Sequence, residues 1–323
     1  MISQEYNDAN ETKMKVIFRM KKTLQPIRII GGTGVQGGNA ARELLKHNYC
    51  VRVLSRNPQS AAAQEIAAEG AEVIQGDMAD VDSLEPAMRG VSAIFSAQYA
   101  DPDDPSVEPR NAANMVKAAQ KAGIEQVVHT SVAGNNLFPR WNKYKALTDY
   151  NEQKYQIEEF VRNGGFRYWT ILHPCLFMEC FEEKSAKVMA PELKNGVLFG
   201  ILKPDTPIKW TCGDNTSQFA RAAFESPEKF NKKDINVAGD ELSMSQAAQT
   251  LSRVLGKNVV YEAFSHEEAV RRGLMEGTVC GQEWMEAVTP GFGFDINETR
   301  QYGVPLTNLE AWVATHQETI FIR

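Results

Sequence analysis

From residue 29 to residue 38 the chain reads Ile-Ile-Gly-Gly-Thr-Gly-Val-Gln-Gly-Gly, an apolar run that stops at a glycine-dense turn. The turn opens into Asn39-Ala40-Ala41-Arg42-Glu43-Leu44-Leu45, a helix-forming segment. Glycines let the backbone turn tightly and come close to a ligand. The helix that follows presents unpaired N–H groups and the positive end of its dipole. Strand, turn and helix together suit the pyrophosphate of a dinucleotide, with Gly31, Thr33, Gly34, Val35, Gln36 and Gly37 as the expected contacts. The spacing is Gly31-x-x-Gly34-x-x-Gly37, not G-x-G-x-x-G. Glycine-rich turns also occur without nucleotides, so the reading leans on the strand before and the helix after.

Downstream, strands and helices alternate with short connections. Strands are expected at 49–54, 71–75, 91–97, 126–131 and 168–172, and helices at 61–69, 81–88, 111–122 and 147–162. Apolar β-branched runs between helices imply a parallel sheet covered on both faces, with ligands at the carboxyl ends of its strands. The expected fold class is α/β: a doubly wound, mostly parallel Rossmann sheet with a smaller, loop-rich C-terminal substrate lobe. Residues 1–24 read as a disordered polar extension, 25–174 as the dinucleotide-binding domain and 175–323 as the substrate-side lobe. In that lobe 217–223 and 245–255 are expected to be helical, 234–237 is strand-like and 275–306 suits a loop-rich cap; the lobe as a whole is a candidate to return a strand to the main sheet.

The 323 residues suffice for one large α/β domain or two smaller ones. A net charge of −6 gives no chain-wide attraction to nucleic acid or anionic membrane. No apolar run approaches a membrane span. The five cysteines are scattered without a C-x-x-C, which argues for a reducing cytoplasm and against a disulfide framework or a zinc site.

The end of the second strand selects the nucleotide. It reads Val53-Leu54-Ser55-Arg56-Asn57-Pro58, with no carboxylate for a ribose 2′-OH and a guanidinium able to grip a 2′-phosphate. Ser55 and Arg56 therefore point to NADP(H). Asp77 and Met78 follow the third strand, where an acid can bind the adenine amino group; a plain turn explains Asp77 equally well. Ala97 and Pro174, at the ends of the fourth and sixth strands, complete the expected cofactor contacts.

Tyr150-Asn151-Glu152-Gln153-Lys154 is a Y-x-x-x-K, and residues four apart share a helix face. An ammonium beside the phenol eases its ionisation, and such a tyrosine can give a proton to a carbonyl oxygen while nicotinamide delivers hydride. Lys154 can also hold the nicotinamide ribose. Ser131 ends the fifth strand, where its hydroxyl could bond a substrate oxygen or simply satisfy the loop. Chance produces Y-x-x-x-K often, so packing remains the rival account of Tyr150. Tyr144 is a rival tyrosine that lacks the i+4 lysine. His129 and His173 are expected in strand five and at the end of strand six, with no metal site. Cys175 and Cys180 flank the pocket and by default are buried. Phe177, Met178 and Trp210 are the candidate substrate contacts.

Taken together these residues resemble the NmrA-like family of atypical short-chain dehydrogenase/reductases, from about Pro26 to Trp312. Gly31–Gly38, Ser55-Arg56-Asn57-Pro58 and Gln75-Gly76-Asp77 look like its motifs. So does Trp169-Thr170-Ile171-Leu172-His173-Pro174, with His173 where arginine is frequent. Phe177-Met178-Glu179-Cys180-Phe181 is also similar, with Cys180 where asparagine is common. The resemblance implies NADP(H) binding and one of two roles. Some members reduce quinones, enones or aldehydes; others have lost the tyrosine and sense NADP(H) as regulators with a protein partner. Retention of Tyr150, Lys154 and Ser131 tilts the reading to a cytoplasmic NADPH-dependent reductase of a small apolar carbonyl, quinone or enone. The alternative is a catalytically silent NADP(H) sensor, and an epimerase or lyase ranks last. The sequence leaves open a protein partner or a homo-oligomer.

Overall fold

The computed structural model describes residues 25–99, 101, 104–135, 137, 143, 145–288 and 290–323. The expected N-terminal extension (1–24) and Tyr144 lie outside them. In chain order the first half runs β1 (Ile27–Ile30), α1 (Val35–Lys46), β2 (Val51–Ser55), α2 (Ala61–Ala68), β3 (Glu72–Gln75), α3 (Val81–Ala87), β4 (Ala93–Ala97), α4 (Val107–Lys121), β5 (Gln126–Thr130), α5 (Lys145–Arg162) and β6 (Tyr168–Pro174). The second half holds β7 (Leu176–Phe177), α6 (Glu183–Met189), β8 (Val197–Gly200), β9 (Ile208–Thr211), α7 (Gly213–Glu225), α8 (Pro227–Phe230), β10 (Lys233–Val237), β11 (Asp240–Leu242), α9 (Met244–Leu255), β12 (Val260–Ala263), α10 (His266–Arg271), α11 (Glu276–Val288), α12 (Ile296–Arg300) and α13 (Leu309–Thr315).

The main sheet has seven strands in the order β10-β6-β5-β4-β1-β2-β3. All of its pairings are parallel. The order reverses between β1 and β4, so the crevice at their carboxyl ends is the natural ligand site. Alternate side chains on each strand feed opposite layers. Ile29, Val53, Phe95 and Val128 pack under α1 and α7 with Leu44, Phe219 and Phe224. Ile30, Leu54, Ile94, Val127 and Ile171 pack with Met115 of α4 and Val161 of α5.

The expected boundary at residue 174 does not separate the layers. The apolar face of α7 (Phe219, Ala220, Ala223, Phe224) closes over the sheet, and β10 pairs with β6. Residues 213–237 thus complete the main sheet and its α1 layer. The other C-terminal elements form a lobe around Met178, Phe181, Trp210, Leu251 and Trp312. The region expected to be a loop-rich cap holds the helices α11 and α12. Gly277 and Gly281 lie within α11, while Val279 and Trp284 bury its inner face.

Candidate functional site

The seven parallel strands end on one edge, and the glycine turn follows β1 there. Gly31 has φ +77°, and a Cβ there would stand 2.2 Å from the Ala97 carbonyl oxygen at the end of β4. A Cβ on Gly37 would stand 2.2 Å from the Gly31 carbonyl oxygen. Only glycine lets the turn lie against β4 and the helix start against the turn. The Gly34 N–H closes the turn on Gly31 at 2.9 Å, and no side chain caps α1. Thr33 and Gly34 are exposed, and Val35 is 44% exposed. The Gln36 side-chain oxygen accepts from Thr130 Oγ1 at 2.6 Å, which ties the turn to β5.

Arg56, just past β2, is exposed and pairs with none of the described residues. Ser55 beside it is buried. The Gly76 N–H donates to the Ser55 carbonyl at 3.1 Å, which holds the two strand ends together. Asp77 accepts the Ala79 N–H at 2.9 Å, the turn role left open by the sequence. The Met78 carbonyl accepts from Asn114 Nδ2 of α4 at 2.9 Å. Ala97 is half-buried and Pro174 buried. This side has the features a dinucleotide phosphate requires: a turn packed too closely for a side chain at Gly31 or Gly37, an uncapped helix start and an unpaired guanidinium.

On the other face of the sheet α5 carries Tyr150, Lys154, Glu158 and Arg162, which recur at i+4 and form one stripe. Lys154 Nζ stands 5.2 Å from the centroid of the Tyr150 ring, which remains half-buried. The ammonium lies over the ring and also donates to Glu108 Oε1 of α4 at 2.5 Å. Burial alone would lower the Lys154 pKa, but the nearby Tyr150, Glu108 and Glu158 outweigh it and hold the group above its ordinary value. Lys154 is a fixed cation.

One turn further along, Glu158 is a buried hub. Its Oε1 accepts from Ser131 Oγ at 2.5 Å, Asn135 Nδ2 at 2.9 Å and His173 Nε2 at 3.0 Å. Its Oε2 accepts from Arg162 at 2.8 Å. Burial would raise its pKa; the hydrogen bonds from His173, Ser131 and Asn135 more than offset this and bring it to about 2. The Ser131 proton is therefore committed to a carboxylate, and the hydroxyl offers a substrate oxygen only lone pairs. Glu158, His173 and Asp234 could gather a metal by distance alone. The Arg162 guanidinium, however, already bonds both carboxylates, with Asp234 at 2.6 Å.

Of the expected substrate contacts, Phe177 is half-buried beside the edge. Met178 and Trp210 are 0% exposed and belong to the lobe core instead. The cause is visible for Trp210: β9 lies between β7 and β11, and the indole N–H donates to the Leu242 carbonyl at 2.9 Å. His129 is fully buried in β5, and its pKa is driven down to about 3 by burial first and then by the Lys154 charge. Cys175 and Cys180 are buried, and burial pushes both thiols up. Sequence reasoning missed Glu108, Asn135 and Glu158; the i+4 recurrence that continues Tyr150-Lys154 to Glu158 and Arg162 was the signal for one of them.

Comparison with known proteins identifies the family. The profile of the NmrA-like family matches residues 22–289. The chain belongs to the NmrA-like family. A curated relative, the NmrA-like family domain-containing oxidoreductase malD of Malbranchea aurantiaca, is 25% identical over 274 residues, covering 80% of each chain. Among solved structures, the NADPH-dependent quinone oxidoreductase QOR2 of Escherichia coli in complex with NADPH has a TM-score of 0.70 at 23% identity. It covers 90% of this chain and 99% of its own. NmrA, a negative transcriptional regulator in complex with NADP, has a TM-score of 0.73 at 18% identity, with 90% and 95% covered. These structures share the fold of this chain. No helix among the described residues is long and apolar enough to cross a membrane.

Proposed function

We propose that the chain is an NADPH-dependent reductase of a small apolar carbonyl, quinone or enone. Two features carry this reading: the exposed glycine turn with Arg56 beyond the end of β2, and Tyr150 with its fixed lysine on α5. The cofactor-bound structures of QOR2 and NmrA, and the oxidoreductase names of the curated relatives, support it.

In this reading the Gly31–Gly37 turn and the α1 N-terminus hold the pyrophosphate, and Arg56 and Ser55 select the 2′-phosphate. Asp77, Met78, Ala97 and Pro174 line the rest of the cofactor groove. Bound NADPH supplies the hydride. Tyr150 gives its proton to the substrate oxygen, and Lys154 fixes the phenol and reaches toward the ribose. Ser131 accepts a hydrogen bond from a substrate or tyrosine hydroxyl, and Phe177 offers an apolar wall.

The test is NADPH consumption by the purified protein with 1,4-naphthoquinone, cinnamaldehyde, benzaldehyde and simple ketones. Turnover with any of them supports the reductase. Tight NADPH binding with no turnover favours the sensor, and the search then moves to a protein partner.

A further inference from the structure

Glu108 lies in the first turn of α4, where the helix dipole favours a carboxylate. It is 1% exposed, and Lys154 on α5 is 6% exposed. Lys154 donates to Glu108 Oε1 at 2.5 Å, while Glu108 Oε2 is buried without a partner. Among the described residues, Lys154 is the one side chain that pairs with Glu108. A carboxylate buried with a donor on a single oxygen stabilises a fold poorly, because desolvation offsets the attraction. Glu158 shows the alternative on the same side of the sheet, with both of its oxygens bonded. What Glu108 does secure is the place of one ammonium.

Lysine carries a compact charge on a flexible four-carbon stem, so the backbone position of Lys154 does not by itself fix its ammonium. Two carboxylates compete for that charge, Glu108 from α4 and Glu158 one turn further along α5. Tyr150 and His129 of β5 are the other titratable groups that feel it. Tyr150 and Glu158 lie in opposite directions along the stripe, four residues before Lys154 and four after it. The bond to Glu108 decides the competition and leaves the ammonium 5.2 Å from the centroid of the Tyr150 ring. Glu158 is meanwhile held by Ser131, Asn135, Arg162 and His173.

We propose that Glu108 is a positioning residue: it anchors the Lys154 ammonium beside Tyr150 and keeps it away from Glu158. The inference rests on the reductase reading, in which Tyr150 gives its proton to the substrate oxygen. Glu108 itself meets neither substrate nor cofactor and acts through Lys154. Without the Glu108 charge, the carboxylate left for Lys154 on this stripe is Glu158. An ammonium that turns toward Glu158 leaves the phenol and intrudes on the group that holds Ser131.

Glu108→Gln keeps the shape of the side chain and an accepting oxygen but removes the charge. The expected result, with 1,4-naphthoquinone at saturating NADPH, is a fall in kcat of about 10–10²-fold, the scale for a misplaced group at a reacting centre. A double-mutant cycle with Lys154→Met separates positioning from general damage. A residue that acts through Lys154 adds nothing once the ammonium is gone, so the double variant should have the kcat of Lys154→Met alone. A residue that only supports the fold adds its own loss, and the two fold-changes multiply. If Glu108→Gln fails to fold, the wild-type protein with NADP⁺ bound decides the matter. NMR should then detect a hydrogen-bond scalar coupling between the Lys154 ¹⁵Nζ and the Glu108 carboxyl ¹³C. Wild-type kcat in Glu108→Gln, multiplied losses in the cycle, or absence of that coupling overturns the inference alone. Absence of turnover by the wild type against the whole carbonyl panel overturns the reductase reading and this inference with it.

Discussion

Two buried glutamates flank the carboxyl edge of the sheet and end in opposite states. Glu158, on the α5 side, is 2% exposed, and its carboxyl sits at about 2. Glu179, on the α1 and α7 side, is 8% exposed, and its carboxyl is pushed up to about 7, first by burial. Both lose water, so burial alone cannot explain the difference. Donors can: Glu158 collects four side-chain hydrogen bonds across both oxygens. Glu179 Oε1 accepts the Gly213 N–H at 2.7 Å, and its Oε2 is buried without a partner. The lesson is that charge in this interior is set by local hydrogen-bond supply, and the α5 wall is built to keep charge while the α7 side is not.

The strongest attack on this contrast is Glu158→Gln. An amide offers one accepting atom to a site built with four donors, so the folded state should lose about 3–5 kcal/mol, the cost of breaking a buried ion pair. Urea unfolding measures it. A loss below 1 kcal/mol would mean that the hub relaxes freely.

The two carboxyls also predict opposite pH slopes. The Glu158 pKa is depressed on folding from 4.5 to about 2. Its contribution, about 3 kcal/mol, is present above pH 4.5 and lost as pH falls through 2. The Glu179 pKa is raised on folding from 4.5 to about 7. Its contribution, also about 3 kcal/mol, is present below pH 4.5 and lost as pH rises through 7. Glu179→Gln should therefore flatten the stability profile between pH 4.5 and 7 and leave the variant more stable than its parent at pH 8. Melting temperatures across pH 4–8 read this directly, and a parent profile that rises across that window in step with Glu179 would contradict it.

The smallest expected effect on stability comes from a charge that is neither buried nor paired. Arg56→Ala should change folding free energy by no more than about 0.5 kcal/mol. NADPH binding should weaken by about 1.5–3 kcal/mol, the range for a hydrogen bond to a charged group, with NADH little changed. Calorimetry with both cofactors separates the outcomes; equal weakening of the two would remove Arg56 from cofactor selection.

The contrast between the walls is also a contrast in legibility. The cradle side is written in contiguous residues: the apolar Ile29-Ile30, the glycines and the helix former are neighbours in sequence and in space. The strands from β2 to β6 fall within a few residues of their expected ranges. Helix α4 starts at Val107, before the expected 111, because Pro109 lies in the first turn, where its missing N–H breaks no helical bond. The α5 wall is assembled from residues far apart in sequence. Ser131 and Glu158 are 27 positions apart and Glu108 and Lys154 are 46 apart, so no local pattern announces them. Trp210 shows the same limit from the other direction. Its aromatic character suggested a substrate face, while its burial depends on the neighbours β7 and β11, which local periodicity cannot supply.

The claim that joins the walls is that Tyr150 gives a proton to substrate while the cradle holds NADPH, and Tyr150→Phe tests it most directly. Steady-state NADPH consumption with 1,4-naphthoquinone and cinnamaldehyde would be measured alongside the NADPH dissociation constant of the same preparation. The account predicts turnover by the wild type, a fall in kcat of about 10²–10⁴-fold in the variant, the range for general acid catalysis, and unchanged NADPH binding. Equal turnover by both proteins would contradict the role of Tyr150, and tight NADPH binding without turnover by either would contradict the reductase itself.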